Sequence, residues 1–245
     1  MAKRHDIDRI LQNWPYEPGE ISARLVKASD GREVLQMRVE MGVLQLEVSG
    51  RPDGQRPGGA ETYFDHVRGL AAKSDGDFEL TSEQCVEADR EFMQYYHRRV
   101  CWLALREFRR AAADAEHTLA FMDFCRDHSP EEEWTVSHEQ YRPFVLFHRT
   151  QAATLATLDE TGPREALEEL SKGLQAFHDL FEQFEAEEQF EEDELVQRLV
   201  ELRDTMREQY HLKPSLSEQL AEAVAKEEYE LAARLRDELE KRSDR

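Results

Sequence analysis

The stretch Pro214-Ser-Leu-Ser-Glu-Gln-Leu-Ala-Glu-Ala-Val-Ala-Lys-Glu-Glu-Tyr-Glu-Leu-Ala-Ala-Arg-Leu-Arg-Asp-Glu-Leu-Glu-Lys-Arg242 carries one hydrophobic pattern twice. Apolar residues recur at every fourth position in each half, which places them on one face of a helix. These residues are Leu216, Leu220 and Val224 in the first half, and Leu231, Leu235 and Leu239 in the second. The charged tripeptide Lys226-Glu227-Glu228 separates the halves. The pattern therefore predicts two short antiparallel helices joined by a tight turn.

The beginning of the first tail helix is marked by Pro214, Ser215 and Glu218. Proline lacks an amide hydrogen and ends whatever helix precedes it. A serine followed three residues later by a glutamate is typical of a capping box, in which each side chain accepts a hydrogen bond from a free backbone amide of the first turn. We therefore expect the hairpin to begin at residue 215.

A hairpin of this size is too small to be stable alone. Each leucine-sized side chain contributes roughly 1.5–3 kcal/mol when it is fully buried. Ordering the backbone costs on the order of 1–2 kcal/mol for every residue, and the hairpin orders far more residues than it buries. We therefore expect the hairpin to pack on the rest of the chain, on a second copy of the chain, or on another protein.

Several residues of the tail together resemble a known motif. They are Leu220, Ala223, Tyr229, Glu230, Ala232, Ala233, Leu235, Arg236 and Asp237. In this arrangement the tail resembles the UVR motif of the excision-repair proteins UvrB and UvrC, which also occurs in some Clp-type chaperone ATPases and in a regulator of a protein-arginine kinase. The resemblance covers only about residues 214–243 and implies a helical hairpin that mediates protein–protein association. The alternative is an ordinary C-terminal helix pair that closes the chain's own core.

The resemblance also implies which residues contact a partner. The predicted partner-binding residues are Leu220, Val224, Tyr229, Ala232, Ala233, Leu235, Arg236 and Asp237. The implied partner is another protein, with a second copy of this chain, giving a homodimer, as the alternative. The kinase-regulator relatives carry zinc-type cysteine pairs ahead of the hairpin, and this chain has no Cys-x-x-Cys pair.

The net charge of −21 limits the classes of partner. A uniformly acidic protein is repelled by phosphate backbones, so we predict no direct nucleic-acid binding. The same repulsion argues against an anionic membrane surface.

The N-terminus lacks an apolar signal segment, and no run approaches the ~18 apolar residues that a membrane span needs. The three cysteines are widely spaced, which fits reduced thiols better than disulfides. We therefore expect a cytoplasmic protein.

The N-terminal part changes its hydrophobic period. A short helix is predicted from Asp6 to Asn13, ended by Pro15. Alternating apolar residues over 21–25, 34–41 and 44–48 then predict a three-stranded antiparallel meander with one apolar and one solvated face. Asp30-Gly31 marks a hairpin between the first two strands. The Gly- and Pro-rich loop 50–60 either presents its two arginines to an acidic partner or is a structured connector with a local Arg–Asp contact.

The middle of the chain is helical. The pattern from Thr81 to His128 is too long for one helix, and we expect it to turn near Ala111–Asp114. Helices are also predicted over 141–158, after Gly162-Pro163, and up to Pro214. Residues 151–177 weakly resemble one tetratricopeptide helix pair, but the spacing of a repeat array is absent. A helical bundle is therefore the main expectation and a repeat-like arrangement the alternative.

These segments together predict an α+β fold that is mostly α. Residues 1–60 would hold the first helix, the meander and the Arg/Gly/Pro loop. Residues 61–212 would form a helical domain, and residues 213–245 the UVR-like hairpin. A meander of this size needs helices to cover its apolar face.

No motif of a catalytic or cofactor site is recognisable. The sequence has no phosphate-binding loop, dinucleotide fingerprint or nucleophile elbow. His97 and Cys101 are one helical turn apart, but a zinc site needs further ligands, so a half-buried histidine and a core cysteine are the better interpretation. We therefore predict no catalytic residue, no cofactor, no metal and no enzymatic activity. Arg99, Arg106 and Arg110 are placed on one predicted helical face, either as a site for an anionic partner or as a solvated face.

Four functions fit these features. The first is a non-catalytic adaptor or regulatory protein that docks through its C-terminal hairpin. The second is an accessory component of UvrABC-type nucleotide-excision repair, and the third is a regulator in a Clp or arginine-kinase system, both suggested by the resemblance alone. The fourth is an enzyme whose site gathers His97, Cys101 and acidic residues from other helices.

Overall fold

A computed structural model describes residues 6–74, 76, 78–214, 219–220, 223–224 and 228–243. The strands are β1 Ala23–Lys27, β2 Glu33–Val39 and β3 Gly42–Glu47. The α-helices are α1 Asp8–Asn13, α2 Tyr63–Ala71, α3 Ser82–Ala104, α4 Phe108–Asp127, α5 Glu132–Glu139, α6 Arg142–Glu160, α7 Pro163–Gln183, α8 Glu194–Tyr210 and α9 Tyr229–Ser243. Two short 3-10 helices span Pro57–Gly59 and Glu187–Glu192. The predicted fold class, α+β and mostly α, is confirmed.

The sheet is an antiparallel meander in the order β1-β2-β3. Leu25 pairs with Leu35, and Leu35 pairs with Leu46, so three leucines form one row across the sheet. This row lies on one face because side chains alternate along a strand. The turn between β1 and β2 contains Gly31, whose φ of 88° is a left-handed conformation that glycine adopts without a steric penalty. The predicted meander is therefore confirmed.

The second face of the sheet is less solvated than the alternation predicts. Val34 and Arg38 point away from the leucine row, yet they are 0% and 7% exposed. Arg38 donates hydrogen bonds to the backbone carbonyls of Trp14 and Gly42. The prediction of a solvated face is wrong at these two positions, and at Arg38 the reason is its contact with Trp14, which follows α1.

The leucine face of the sheet shares its core with three helices. Leu35 and Leu46 pack in one cluster with Trp102 of α3, Ala112 of α4 and Ala153 of α6. The alanines on α4 and α6 are 3% and 4% exposed, so these helices approach the sheet closely. The helices thus supply the cover that a three-stranded sheet needs.

The long helical region turns earlier than predicted. Helix α3 ends at Ala104 and α4 begins at Phe108, so the turn lies at 105–107 and not at Ala111–Asp114. Arg106 occupies the turn with a φ of 59°, a conformation uncommon for a residue other than glycine. The prediction was wrong because the alanine-rich run after Phe108 has a high helix propensity and continues α4. The two-helix arrangement itself is confirmed.

The chain divides into two compact units, Met1–Ala156 and Thr157–Arg245. In the second unit, α7 begins with Pro163 at its first position, as the Gly-Pro pair predicts. Its buried residues include Leu167, Leu170 and Phe177, which follow the predicted spacing of three and four. Helix α8 contributes Leu199 to the buried apolar residues of this unit. The domain boundaries predicted at residues 60 and 212 stay a prediction.

Within the described part of the chain, none of the helices combines the length and the apolar character that crossing a membrane requires.

Candidate functional site

Among the described residues of the C-terminal tail, some apolar side chains are buried together and others are exposed. Ala223, Ala232 and Leu235 are 2%, 8% and 6% exposed and pack together, with Leu220 against them. We call these four residues the tail cluster. The amide of Glu228 donates to the carbonyl of Ala223 at 2.8 Å, which draws the start of α9 towards the preceding segment. The two halves of the tail therefore contact each other through the residues that the hydrophobic pattern predicts.

Among the described tail residues, three large apolar side chains are exposed. Val224 is 54% exposed, Tyr229 69% and Leu231 42%. Single exposed apolar residues are ordinary on protein surfaces, but three within eight residues are typical of a contact surface. We call these three residues the tail surface.

The predicted partner-binding residues fall into two groups. Leu220, Ala232 and Leu235 belong to the tail cluster. Val224, Tyr229, Ala233, Arg236 and Asp237 are exposed. The predicted capping residues Ser215 and Glu218 lie outside the described residues, as do Leu216 and the side chain of Leu239. Leu231, which the sequence analysis did not single out for binding, belongs to the exposed group.

The predicted arginine patch does not form. Arg99 on α3 is 2% exposed, so it is not available to a surface partner. Arg106 lies in the turn between α3 and α4, with its guanidinium over the ring of Phe108. Arg110 on α4 stacks over Trp102 and pairs with Glu33 at 3.3 Å. The patch prediction assumed one continuous helix, and the turn at 105–107 separates these residues.

Loop 50–60 is a structured connector. Arg51 is 2% exposed, so its guanidinium is not presented to a partner. It donates to the carboxylate of Glu87 at 3.0 Å and lies 3.5 Å from Asp53. The second of the two interpretations, a local Arg–Asp contact, therefore applies to Arg51, whereas Arg56 is exposed.

The first unit also contains a groove that the sequence analysis did not find. Its volume is about 590 Å³, and its lining includes residues of α3, α4, α5 and α6. We call it the aromatic groove. Its apolar lining comprises Phe92, Met93, Tyr96, Met122, Phe144 and Val145. Of these, Met93 and Phe144 are 54% and 36% exposed, so the groove opens at the surface.

One polar side chain of the groove is deeply buried. Arg99 lines the groove, and its Nε donates to His148 Nδ1 at 3.2 Å while Nη1 donates to Thr118 Oγ1 at 3.0 Å. Burial lowers the pKa of Arg99 to about 10. Burial, together with the charge of Arg99, lowers the pKa of His148 to about 4. At neutral pH the guanidinium is therefore charged and the imidazole is not.

One rim of the groove is fixed through Asp89. Its Oδ1 accepts a hydrogen bond from Trp134 Nε1 at 3.0 Å and lies 2.8 Å from His138 Nε2. Both partners are on α5, a helix with no buried residue of its own. His138 lines the groove. These polar contacts with α3 therefore hold α5 in place together with the packing of Trp134 against buried apolar residues.

A buried carboxylate joins α2 to α3. Glu91 is 0% exposed and accepts hydrogen bonds from the backbone amides of Tyr63 and Phe64 at 2.6 and 3.1 Å. It also lies 3.0 Å from His117 Nε2 and 3.6 Å from the Arg51 guanidinium. These contacts satisfy the free amides at the beginning of α2. One feature of the sequence points to this network, a glutamate next to the apolar residue Phe92 in the middle of a helix.

Among the described residues, His97 and Cys101 do not belong to a group of three ligating side chains. His97 is half-buried, and desolvation lowers its pKa. Cys101 is 0% exposed, and burial raises the pKa of its thiol to about 12. Among the described residues, one group of three ligating side chains lies within 4.8 Å of one another, and all three are exposed on α7. They are His178, Asp179 and Glu182. Exposed acidic groups of this kind are common without a metal ion.

Comparison with known proteins identifies the tail. A model of the UVR family, described as the UvrB/uvrC motif, matches residues 212–242. No curated protein and no solved structure matches the chain. The chain therefore carries a UvrB/uvrC motif at its C-terminal end, which confirms the resemblance predicted from the sequence.

Proposed function

We propose that this chain is a non-catalytic interaction protein, an adaptor or regulator, that docks on another protein through its UVR hairpin. One observation carries the proposal. Ala223, Ala232 and Leu235 are buried in the tail cluster, whereas Val224, Tyr229 and Leu231 stay exposed. A hairpin that served only to close the chain's own core would be expected to bury its largest apolar side chains.

The tail surface has the size of a small docking site. Complete burial of a valine, leucine or aromatic side chain contributes roughly 1.5–3 kcal/mol relative to full exposure. A micromolar complex requires about 8 kcal/mol after the costs of association. Three apolar residues that are already partly covered do not supply this alone, so we expect the exposed Arg236 and Asp237 to contribute polar contacts at the rim.

The proposal includes the class and location of the partner. A net charge of −21 opposes direct binding to nucleic acid or to an anionic membrane, so the partner is a protein or a second copy of this chain. We propose a cytoplasmic location and no enzymatic activity. The three cysteines are buried, which fits structural thiols rather than nucleophiles.

The UvrB/uvrC match favours one alternative, an accessory role in UvrABC-type nucleotide-excision repair. In this alternative the partner of the hairpin is an excision protein. A regulatory role in a Clp or arginine-kinase system is a further alternative, which the missing cysteine pairs weaken. A binding experiment between the full-length chain and the purified UvrB or UvrC protein of the host distinguishes these alternatives. Binding to either protein favours the role in excision repair.

A matched pair of valine variants tests the docking surface. Val224 and Val136 are both helical and 54% and 58% exposed, but only Val224 lies in the tail. We expect Val224→Asp to weaken partner capture at least tenfold and Val136→Asp to leave it unchanged. Far-UV circular dichroism confirms that both variants fold. A chain truncated after Leu212 that retains every partner would overturn the proposal.

Sedimentation of the purified chain tests the homodimer. If the partner is a second copy, the full-length chain sediments as a dimer and the Val224→Asp variant as a monomer. If both sediment as monomers, the partner is another protein.

A further inference from the structure

The aromatic groove holds a cationic group that its neighbours do not neutralise. Arg99 is 2% exposed, and both hydrogen bonds of its guanidinium go to groups that are uncharged at neutral pH, His148 and Thr118. The carboxylate of Asp114 lies nearby on α4, but it is engaged at two points by Arg98, at 2.7 and 2.9 Å. Two buried guanidinium groups therefore share one carboxylate.

Three acidic residues next to the groove, Asp89, Asp123 and Glu139, have partners of their own. Asp89 binds Trp134 and His138 at the rim. Asp123 and Glu139 pair with Arg142. The floor of the groove therefore carries the positive charge of Arg99 opposite one carboxylate, Asp114, which Arg98 shares. Burying a charge without an opposite partner is costly, so an uncompensated guanidinium in an apolar groove is typical of an anion-binding position.

The walls of the groove favour an apolar ligand body. The volume of about 590 Å³ lies within the range of about 300–1,000 Å³ that small-molecule sites occupy. The lining is aromatic and aliphatic, and it includes two methionines, Met93 and Met122, whose flexible side chains adapt to different shapes. A few fixed polar groups within such a lining set the orientation of a ligand.

We propose that the aromatic groove binds a small carboxylic acid with an apolar body. The carboxylate would meet the Arg99 guanidinium, and the apolar body would lie against Phe92, Met93, Tyr96 and Val145. Guanidinium and carboxylate groups form short, charge-assisted hydrogen bonds, which are stronger than those between neutral groups. This site lies in the first unit and does not depend on the UVR hairpin.

A matched pair of ligands tests the charge requirement. Decanoate and decanamide have the same alkyl chain, and only decanoate carries a charge at neutral pH. Isothermal titration calorimetry of the full-length chain, below the micellar concentration, is expected to show one decanoate per chain and at least tenfold weaker binding of decanamide. Equal affinities, or no decanoate binding at millimolar concentration, would overturn the proposal.

Three variants locate the binding. Arg99→Gln is expected to remove the preference for decanoate over decanamide. Met93→Asp places a carboxylate at the rim and is expected to weaken decanoate binding at least tenfold; Met93 is 54% exposed, so this change preserves folding. Met41→Asp is the control, because Met41 is 86% exposed and does not line the groove.

Each outcome decides the question. If Arg99→Gln does not fold, the comparison of Met93→Asp with Met41→Asp remains decisive. Unchanged decanoate binding in Met93→Asp contradicts the proposed site. An equal loss in Met93→Asp and Met41→Asp shows non-specific, detergent-like binding and also contradicts it. Because the tail is intact in all three variants, these results are independent of partner capture through the hairpin.

Discussion

The guanidinium of Arg98 and the carboxylate of Asp114 form a two-point ion pair between α3 and α4. Nε lies 2.9 Å from Oδ2, and Nη2 lies 2.7 Å from Oδ1. Nη1 of Arg98 also donates to the backbone carbonyls of Glu47 and Gly50 at 3.1 and 2.8 Å. Arg98 and Asp114 are 3% and 5% exposed. The pair therefore fixes the end of β3 to the two longest helices of the first unit.

We predict that Asp114→Ala destabilises the first unit strongly. The substitution leaves Arg98 charged and buried without its carboxylate, and loss of one partner of a buried pair costs about 3–5 kcal/mol. Urea unfolding followed by the fluorescence of the buried Trp102 measures the change. Glu33→Ala is the control, because the Glu33–Arg110 pair is more than 40% exposed at both side chains and such pairs contribute about 0–1 kcal/mol. Equal effects of the two substitutions would contradict the interpretation.

We predict that Glu91→Gln loosens the beginning of α2. A neutral amide accepts hydrogen bonds more weakly than a carboxylate, and its nitrogen cannot accept one from the Tyr63 or Phe64 amide. We expect a loss of about 1–3 kcal/mol and faster hydrogen exchange at these two amides, measured by mass spectrometry or nuclear magnetic resonance. Glu83→Gln on the exposed first turn of α3 should change neither quantity. Full protection of both amides in Glu91→Gln would argue against the role of Glu91.

We predict that His148 makes stability fall as the pH is lowered from about 6.5 to about 4. The pKa of His148 is about 4 in the folded chain and about 6.5 in an unfolded chain. Between these values the unfolded chain binds a proton that the folded chain does not, so the unfolding free energy decreases with falling pH. The contribution is fully present above pH 6.5 and amounts to roughly 3 kcal/mol.

The His148→Gln variant isolates this contribution. The glutamine amide oxygen can accept the hydrogen bond from Arg99 Nε, but glutamine does not titrate. Urea unfolding of both chains between pH 7 and pH 4 should show a shallower pH dependence for the variant. Carboxylates titrate in both chains and cancel in the difference. Parallel curves for the two chains would show that the burial of His148 does not set this dependence.

We predict that Cys85, Cys101 and Cys125 do not react with thiol reagents in the folded chain. All three are buried, and burial raises the pKa of each thiol, to about 12 for Cys101. The thiolate is the reactive form, so reaction at neutral pH is slow. Labelling with a chromogenic disulfide should modify none of the three within minutes in buffer and all three in urea. Rapid labelling of any one in buffer would place that thiol at the surface.

The local part of the fold is predictable from the sequence. The meander follows from strict alternation over three short segments, and α7 from Gly162-Pro163 and a spacing of three and four. The tail is predictable for the same reason, since its pattern repeats within one short stretch. Each of these signals lies between neighbours in the sequence, so no knowledge of distant contacts is needed.

The remaining features depend on contacts between distant residues. The turn at Arg106 was placed too late because the apolar pattern continues through it and the alanines of α4 favour a helix. The burial of Arg38 involves a contact with Trp14, ahead of β1, which strand alternation does not encode. The aromatic groove, with Arg99 at its floor, forms only where α3, α4, α5 and α6 meet. The spacing of the arginines along one assumed helix does not contain this information and predicts a surface patch instead.

Both polar contacts of helix α5 with α3 converge on one oxygen atom, Oδ1 of Asp89, which Trp134 and His138 approach. A substitution at any one of these three positions removes a hydrogen-bond partner of at least one of the other two. The selective pressure to conserve the remaining residues then becomes weaker. Homologues that conserve this wall are therefore expected to retain the three residues together and to lose them together. Such co-variation would identify the distant homologues in which the aromatic groove is retained.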